Sequence, residues 1–306
     1  MAFRPNIVGL GLINRDIVAV VPEWERDAKV AATHFFEQVG GPVPVAMVAL
    51  ARLGNAPVFF LGVTGEDRDG EELAETLREE KVTPLLRRAS GIRTSRSLVL
   101  LDARDGSRTL ANYAEDLPPR SLTDPERELL RQPCLLHLDG RDLPVSIEAA
   151  EIVRQSGGIV SLDLGTMRPG REALLDRCHI VIASKKGGRG AFSEISDDPA
   201  GQVRAFHARG IEVAGVTLGA EGVVLGRRGE NVAFLPACAV ERVADTCGAG
   251  DLFHGAFLHA YLAGATVREA ADFAQAAVAV RITRIGNAAG LPNRAEVTEF
   301  QRRLRG

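Results

Sequence analysis

From about Cys134 onward the chain alternates two kinds of segment. Short runs dense in apolar and β-branched residues, "CLLHLDG", "GIVSLDLG", "HIVIAS" and "IEVAGVTLG", are separated by stretches with helical spacing, "VSIEAAEIVRQSG", "PGREALLDRC" and "DDPAGQVRAFHARG". Strands that read as near-continuous apolar runs are buried on both faces. Their alternation with amphipathic helices therefore predicts a parallel sheet covered by helices on both sides, an α/β domain whose ligands bind at the carboxyl ends of the strands. "GVVLGRRGENVAFLP" reads as a hairpin turning over residues 227–231. Two helices follow, from 249 to about 264 and from 267 to about 284. In the first of them Leu252, Phe253, Ala256, Phe257, Ala260 and Tyr261 fall on one stripe.

The N-terminal third has another rhythm. "NIVGLGLINRDIVAVVP" is nearly continuous strand, and "KVAATHFFEQVGG" and "GIRTSRSLVLLDARDGSRTLANYA" read as more strands, the latter a hairpin around Asp105 and Gly106. "VPVAMVALARLG" and "GEELAETLREEKV" lie between them as helices. This layout predicts one domain over 1–306, in which strands from about 12–40 and 92–114 leave the main sheet and form a small β lid.

Composition narrows the function classes. A net charge of −3 over 306 residues leaves no basic footprint for nucleic acid. No apolar run is long enough for a bilayer and the N-terminus lacks a signal-peptide layout, so a cytoplasmic protein is expected. Cys134, Cys178, Cys238 and Cys247 are far apart with no C-x-x-C pair, which argues against a disulfide framework or a zinc site. His254 and His259 are five apart on one helix and point in separate directions. They are assigned ordinary surface or core roles, although His254 sits beside the loop described next.

The stretch "VADTCGAGDLFHG" carries the chemistry. Gly248, Ala249 and Gly250 offer nearly side-chain-free amides where a helix starts, a seat for an anion built from exposed N–H groups and the helix dipole. Asp251 stands in the first turn of the same helix, where its charge would weaken phosphate binding. That cost makes sense if Asp251 accepts the proton of an attacking hydroxyl while the amides stabilise the charge on a moving phosphoryl group. Asp245 would order the loop or help a cation. The chain has neither G-x-x-x-x-G-K-[ST] nor an H-R-D and D-F-G set, so the P-loop and protein-kinase solutions are absent.

Weaker signals surround this one. "GLGLIN" nearly spells a dinucleotide fingerprint, but Asn14 replaces the third glycine and a strand, "RDIVAVV", follows where a helix is needed, so a strand–bend–strand reading is preferred. Asn14 and Asp16 share one side of an extended chain, either to hold adjacent hydroxyls of a polyol or simply as a solvated strand edge. Gly40 and Gly41 precede Pro42, Pro44 and a helix, as a close backbone approach or a plain turn. Thr217, Gly219 and Gly222 follow a strand end where a nucleotide could pass near the backbone.

"DTCGAGD" followed by "FHGAF" resembles the D-T-x-G-A-G-D signature of the ribokinase-like, PfkB-type carbohydrate kinases. "VGGPVPVAMVALARLG" and "GLINRD" resemble that family's N-terminal segments, and "VTLGAEG" and "RITRIGNAAGLP" its nucleotide-binding ones, so the likeness spans the chain. It implies a three-layer α/β/α ribokinase-like fold with a β lid over the sugar. Asp251 would be the catalytic base, with Gly248, Ala249 and Gly250 the anion hole. Asn14, Asp16, Gly40 and Gly41 would contact sugar. Thr217, Gly219, Gly222 and Asn287 would lie on the nucleotide side. ATP with Mg2+ would be the donor, with a monovalent cation such as K+ near the loop, where Asp245 is the candidate. Separately, a small β lid with exposed edges often pairs with its copy, so a homodimer through the lid is an expectation. Two positions depart from the family: Val45 stands where many members have a sugar-contacting Asn, and "SKKG" (Ser184 to Gly187) where they have Asn-x-x-Glu.

"LLHLDGRD" resembles the ketohexokinase branch, and "TLANYAEDLP" with "DLFHGAF" its sulfofructose kinase relatives. By that comparison Lys29, Asn112 and Arg141 would meet an anionic sugar tail, since cations with an amide donor suit a sulfonate or phosphate; the alternative is that both cations are solvated surface charges. A ketose or modified, anionic ketose phosphorylated at a primary hydroxyl is the expectation, with ribose or a nucleoside as the alternative. A dinucleotide-binding oxidoreductase and a non-catalytic sugar-binding protein are the readings from other classes.

Overall fold

The computed structural model describes residues 5–25, 27, 29–54, 56–113 and 120–305. Its strands are β1 (Asn6–Leu10), β2 (Asn14–Val21), β3 (His34–Gly40), β4 (Val58–Gly65), β5 (Val82–Ala89), β6 (Arg96–Asp102), β7 (Arg108–Tyr113), β8 (Cys134–Leu138), β9 (Ile159–Leu164), β10 (Ile180–Ser184), β11 (Val213–Thr217), β12 (Gly222–Arg227) and β13 (Ala233–Pro236). The helices are α1 (Pro42–Leu53), α2 (Arg68–Glu79), α3 (Asp124–Arg131), α4 (Leu143–Gln155), α5 (Glu172–Leu175), α6 (Lys185–Ala191), α7 (Pro199–Ala208), α8 (Ala249–Leu262), α9 (Val267–Ile282), α10 (Asn287–Gly290) and α11 (Arg294–Arg305).

Nine strands make one sheet in the order β13-β12-β11-β10-β9-β8-β1-β4-β5. From β11 to β5 every pairing is parallel, and β12 and β13 close one edge antiparallel. Alternation along each strand sends side chains to two cores. Ile7, Phe60, Leu135 and Ile182 join α1, α8 and α9, while Val8, Leu61, Leu136 and Val181 join α4 and α7. This is the three-layer ribokinase-like α/β fold.

A second sheet, β3-β2-β6-β7, stands apart from the first. Its β2–β6 pairing is parallel and its other two are antiparallel. Val18, Val20, Val99 and Leu101 line its inner face and pack on Cys247 of the loop before α8. The run expected as strand from residue 29 is strand only from His34, because residues 29–33 lie in the exposed connection from β2. Residue 114, expected to end the last lid strand, lies outside the described residues, as do 115–119.

The stripe expected on the first helix after the loop is real: Phe257 in α8 is fully buried, its ring stacked 6.3 Å from Phe253 and 5.9 Å from Tyr261. Phe257→Ala should therefore lower unfolding free energy by roughly 3–5 kcal/mol, read from chemical denaturation. A loss below about 1 kcal/mol would mean that α8 is not anchored through this ring.

Candidate active site

The carboxyl ends of the parallel strands gather Asp139 after β8, Asp163 in β9, Ser184 at the end of β10 and Thr217 at the end of β11. The N-terminus of α8 meets them there, with Asp163 coupled electrostatically to Asp251. Gly248 caps α8 in the left-handed region at φ +72°, which a side chain rarely adopts, and a Cβ there would sit 2.4 Å from Asn287 Oδ1. At Gly250 no heavy atom stands within 4 Å of where a Cβ would be. Space therefore remains beside Gly250 at the start of α8, where an anion seat would lie, while the Ala249 amide donates back to Thr246 O at 3.3 Å.

Asp251, third residue of α8, is half-buried. Burial, then the charge of Asp163, pushes its carboxyl up to about 7, against the pull of His254 and Arg108. A group poised there can take a proton near neutral pH. Arg108, in β7, also donates to Thr246 Oγ1 at 3.1 Å, and so brings the small sheet's charge to the loop.

The inner face of the small sheet ends in a polar cluster. Asn14 Nδ2 donates to Asp16 Oδ1 at 2.5 Å and to Ser97 Oγ at 2.8 Å, and Ser97 Oγ donates to Asn112 Oδ1 at 2.9 Å. Burial raises the Asp16 carboxyl to about 6, although Ser97 and Asn14 pull it down by hydrogen bonding. Gly40 lies opposite Asn14, and a Cβ on it would sit 2.2 Å from Asp16 Oδ1. Its lack of a side chain is what admits the carboxylate. Gly41, at φ +103°, caps α1 and has Leu12 O where a Cβ would stand. Both glycines shape the backbone around Asn14 and Asp16.

Asp245 orders the loop rather than standing ready for a cation. Its Oδ2 accepts from Arg281 Nη2 and from the Gly286 amide, both at 2.9 Å, and its Oδ1 accepts from the Cys247 amide at 2.7 Å. Asn287, expected on the nucleotide side, is 4% exposed and engaged internally: its amide donates to Gln38 Oε1 at 2.6 Å and its Nδ2 to Val39 O at 3.3 Å. It straps the C-terminal region to β3. Gly222 is fixed by the sheet, since a Cβ there would meet Leu235 O at 2.1 Å. Thr217, half-buried with its hydroxyl 3.4 Å from Ala183 O, and Gly219, open to solvent, lie at the end of β11 and just beyond it.

Lys29, Asn112 and Arg141, expected around an anionic tail, stand in three separate segments. Lys29 is exposed between β2 and β3, and no hydrogen bond or ion pair among the described residues ties it to Asn112 or Arg141. Asn112 belongs to the Asn14 cluster. Arg141 follows Asp139, which accepts from the amides of Arg141 and Leu12, both at 2.8 Å. Burial and the neighbouring charge of Arg168 hold the Arg141 guanidinium below its ordinary value. Arg171 donates from Nε to Gly140 O at 3.2 Å, and Arg168 and Arg141 bear on it in the same way. Three arginines therefore share one corner. Sequence reading missed Arg168 and Arg171, and also Asp163 and His254. Position in "SLDLG" at a strand's carboxyl end was the available signal for Asp163, and the spacing of three from Asp251 was that for His254.

At the two departures the backbone explains the residue. Val45 is 2% exposed and its Cγ1 would be 3.5 Å from a Cβ on Gly248, so it fills space under the anion loop. Gly187 packs against β9 so closely that a Cβ would lie 1.7 Å from Leu164 O. An acid cannot occupy that position without moving α6, and among the described residues no group of three or more His, Cys, Asp or Glu side chains could hold a metal ion.

The model of the pfkB family of carbohydrate kinases matches residues 4–294. The chain belongs to the pfkB carbohydrate kinase family. The ribokinase of Haemophilus influenzae is 29% identical over 304 residues, covering 97% of this chain and 98% of that one. Fructokinase-1 of Zea mays is 28% identical over 327 residues, covering 98% of each. Among solved structures, Arabidopsis thaliana ribokinase complexed with ribose and ATP has a TM-score of 0.81 at 26% identity, covering 97% of this chain and 99% of that one. Ribokinase from Giardia lamblia has a TM-score of 0.85 at 20% identity, covering 97% and 99%, a likeness of fold.

The raised Asp251 has a stability consequence in this kinase. A carboxyl whose folded pKa lies above its unfolded value stabilises the fold when protonated, fully below about pH 4, and that contribution is lost as pH rises to about 7. Asp251→Asn carries no such loss. The variant's stability relative to the native protein should rise between pH 4.5 and pH 8 in urea unfolding, and a pH-independent difference would refute the raised ionisation.

Proposed function

We propose that this carbohydrate kinase transfers the terminal phosphoryl group of ATP to a hydroxyl, most simply a primary one, of a ketose or anionic ketose such as a sulfosugar. The observation that carries the reaction is Asp251, a carboxyl near neutrality placed directly after Gly248, Ala249 and Gly250 at the start of α8, with open space beside Gly250. The Asn14–Asp16–Ser97–Asn112 cluster holds sugar hydroxyls beneath the small sheet, which acts as the lid. Asp251 takes the proton of the attacking hydroxyl, and the amides stabilise the charge carried by the phosphoryl group in transit. Thr217 and Gly219 flank the nucleotide. Mg2+ enters as part of the Mg-ATP substrate, held chiefly by phosphate and water as this ion commonly is; Gly187 in place of the family's acid fits that arrangement. With Asp245 engaged by Arg281, a K+ ion would have to rely on backbone carbonyls.

The Arg141, Arg168 and Arg171 corner supports the anionic ketose, because three clustered guanidinium groups are stabilised by an anion. Ribose is the second reading, favoured by the ribose complex of the Arabidopsis relative. An ADP-release screen over ribose, fructose and 6-sulfonated or 6-phosphorylated ketoses separates them. Asp251→Asn should lower kcat by about a thousandfold on whichever sugar is turned over, with KM little changed. Turnover near the native rate in that variant would remove Asp251 as the base.

The lid is also proposed to pair with a second copy of the chain. Its outer face exposes Phe35 at 68% and Leu98 at 57%, opposite Ala19 and Ile17 on β2. An apolar strip of this kind on a sheet suits a self-complementary interface. Light scattering should give a dimer that the double substitution Phe35→Glu and Leu98→Glu converts to monomer; a native monomer would overturn the pairing.

A further inference from the structure

His254 is a buried titratable group that the transfer reaction, as described, does not use. It is 4% exposed and stands three residues after Asp251, one turn along α8. Its Nε2 is 3.4 Å from Asp163 Oδ1, which reaches it from the end of β9 with a side chain only 12% exposed. Its Nδ1 is buried and has no hydrogen-bond partner. On the far side the His137 ring of β8 lies 5.3 Å away, tilted by 40°, with its own Nδ1 3.2 Å from Ser161 Oγ.

Placing an ion pair here is costly, since two charges lose their water and apolar side chains of similar size would pack as well. The two partners agree on its state. Burial pulls the His254 imidazole down, but Asp163, with help from Asp251, more than offsets this and holds it above its ordinary value. Burial pushes Asp163 up, yet His254 first among its neighbours brings it below the usual carboxylate range. His137, by contrast, is driven by burial down to about 3 and is neutral. The charges that bear on Asp251 are therefore Asp163 from β9, His254 from α8, Arg108 from β7 and Asp16 from β2.

We propose that His254 and Asp163 are positioning residues for phosphoryl transfer: the imidazolium, 3.4 Å from Asp163 and one turn from Asp251 along α8, keeps the base ionised in its enclosed seat without touching the acceptor sugar. The inference rests on the reading of Asp251 as the base. Its logic gives a distinctive pattern. Without His254, Asp163 becomes an unpaired anion beside Asp251 and repels the second charge, so the base stays protonated at neutral pH. Removing Asp163 as well takes that repulsion away.

The test is the pH profile of kcat/KM with Mg-ATP and D-fructose, D-ribose or 6-sulfonated fructose, whichever turns over. The acidic limb should move up by about one unit in His254→Gln, with about a fivefold loss at pH 7 that is regained above pH 9. Adding Asp163→Asn to that variant should return the limb toward its native place. A loss equal at every pH, an unmoved limb, or a double variant no better than the single one would overturn the proposal. A second measurement needs no turnover. Histidine side-chain NMR of the native protein should show His254 still protonated at pH 7 and neutral there in Asp163→Asn. A native His254 that is neutral at pH 6 overturns the pair even if the kinase is active. Absence of turnover on every sugar, with the NMR titration as expected, would instead fault the kinase reading.

Discussion

One buried guanidinium holds the site in register. Arg281 is fully buried, and its Nη2 donates to Asp245 Oδ2 at 2.9 Å and Cys247 O at 2.7 Å, while its Nη1 donates to Asp245 O at 3.2 Å and Arg284 O at 2.7 Å. These bonds join the last turn of α9 to the loop that presents Gly248–Gly250. The same Asp245 carboxylate takes the Gly286 amide, and the next residue, Asn287, reaches Gln38 and Val39 of β3. Three segments distant in sequence thus converge on one ion pair. Leaving either charge without the other costs about 3–5 kcal/mol in a typical buried pair, so the anion loop and the small sheet are fixed to each other rather than merely adjacent.

That rigidity gives the electrostatics a purpose. The proposed anion seat and carboxylate base stand in the same turn and oppose one another; in water Asp251 would be ionised, and burial is the main cause that raises its carboxyl to about 7. The site instead surrounds the base with charge of both signs: Asp163 and Asp16 push its proton on, and His254 and Arg108 pull it off. The balance falls near neutrality because the positive members sit on elements the Arg281 network locks, α8 itself and β7, whose Arg108 donates to Thr246 in the loop. Small displacements of either would shift the base, since Coulomb terms in an enclosed site are several times those in water.

How much of this was legible in the sequence follows from the range of each interaction. The parallel sheet could be read because two-sided burial writes apolar runs into each strand, and "DTCGAGD" could be read because glycines at a helix start have few other uses. The polar pair Asn14 and Asp16 was visible as a period of two, but whether it faced solvent or a site depended on β6 supplying Ser97 from 83 residues away. Asn287 was expected on the nucleotide side; its hydrogen bonds to Gln38 and Val39 had no local signal, because those partners belong to the other end of the chain. Lys29 was drawn into the site by resemblance alone, and the exposed connection that carries it has no local pattern tying it there. His254 was set aside as ordinary since its spacing of three from Asp251 is a weak signal until Asp163 appears opposite.

The two departures from the family pattern are, in this light, one structural choice. Gly187 lets α6 pack directly on the Leu164 carbonyl, and Leu164 follows Asp163 at the end of β9. An acid at 187 would have forced α6 outward from β9 and added a further negative charge close to β9, where the Asp163 carboxylate has the His254 ring at 3.4 Å. With glycine there, the local excess charge is instead positive, from Arg141, Arg168 and Arg171 around Gly140. Val45 acts in the same direction on the other side: an apolar residue under Gly248 offers no hydrogen bond to a sugar hydroxyl, so polar recognition falls to the small sheet and to the arginine corner. The proposed anionic ketose would match this division, with its hydroxyls toward the small sheet and its negative charge toward the arginine corner.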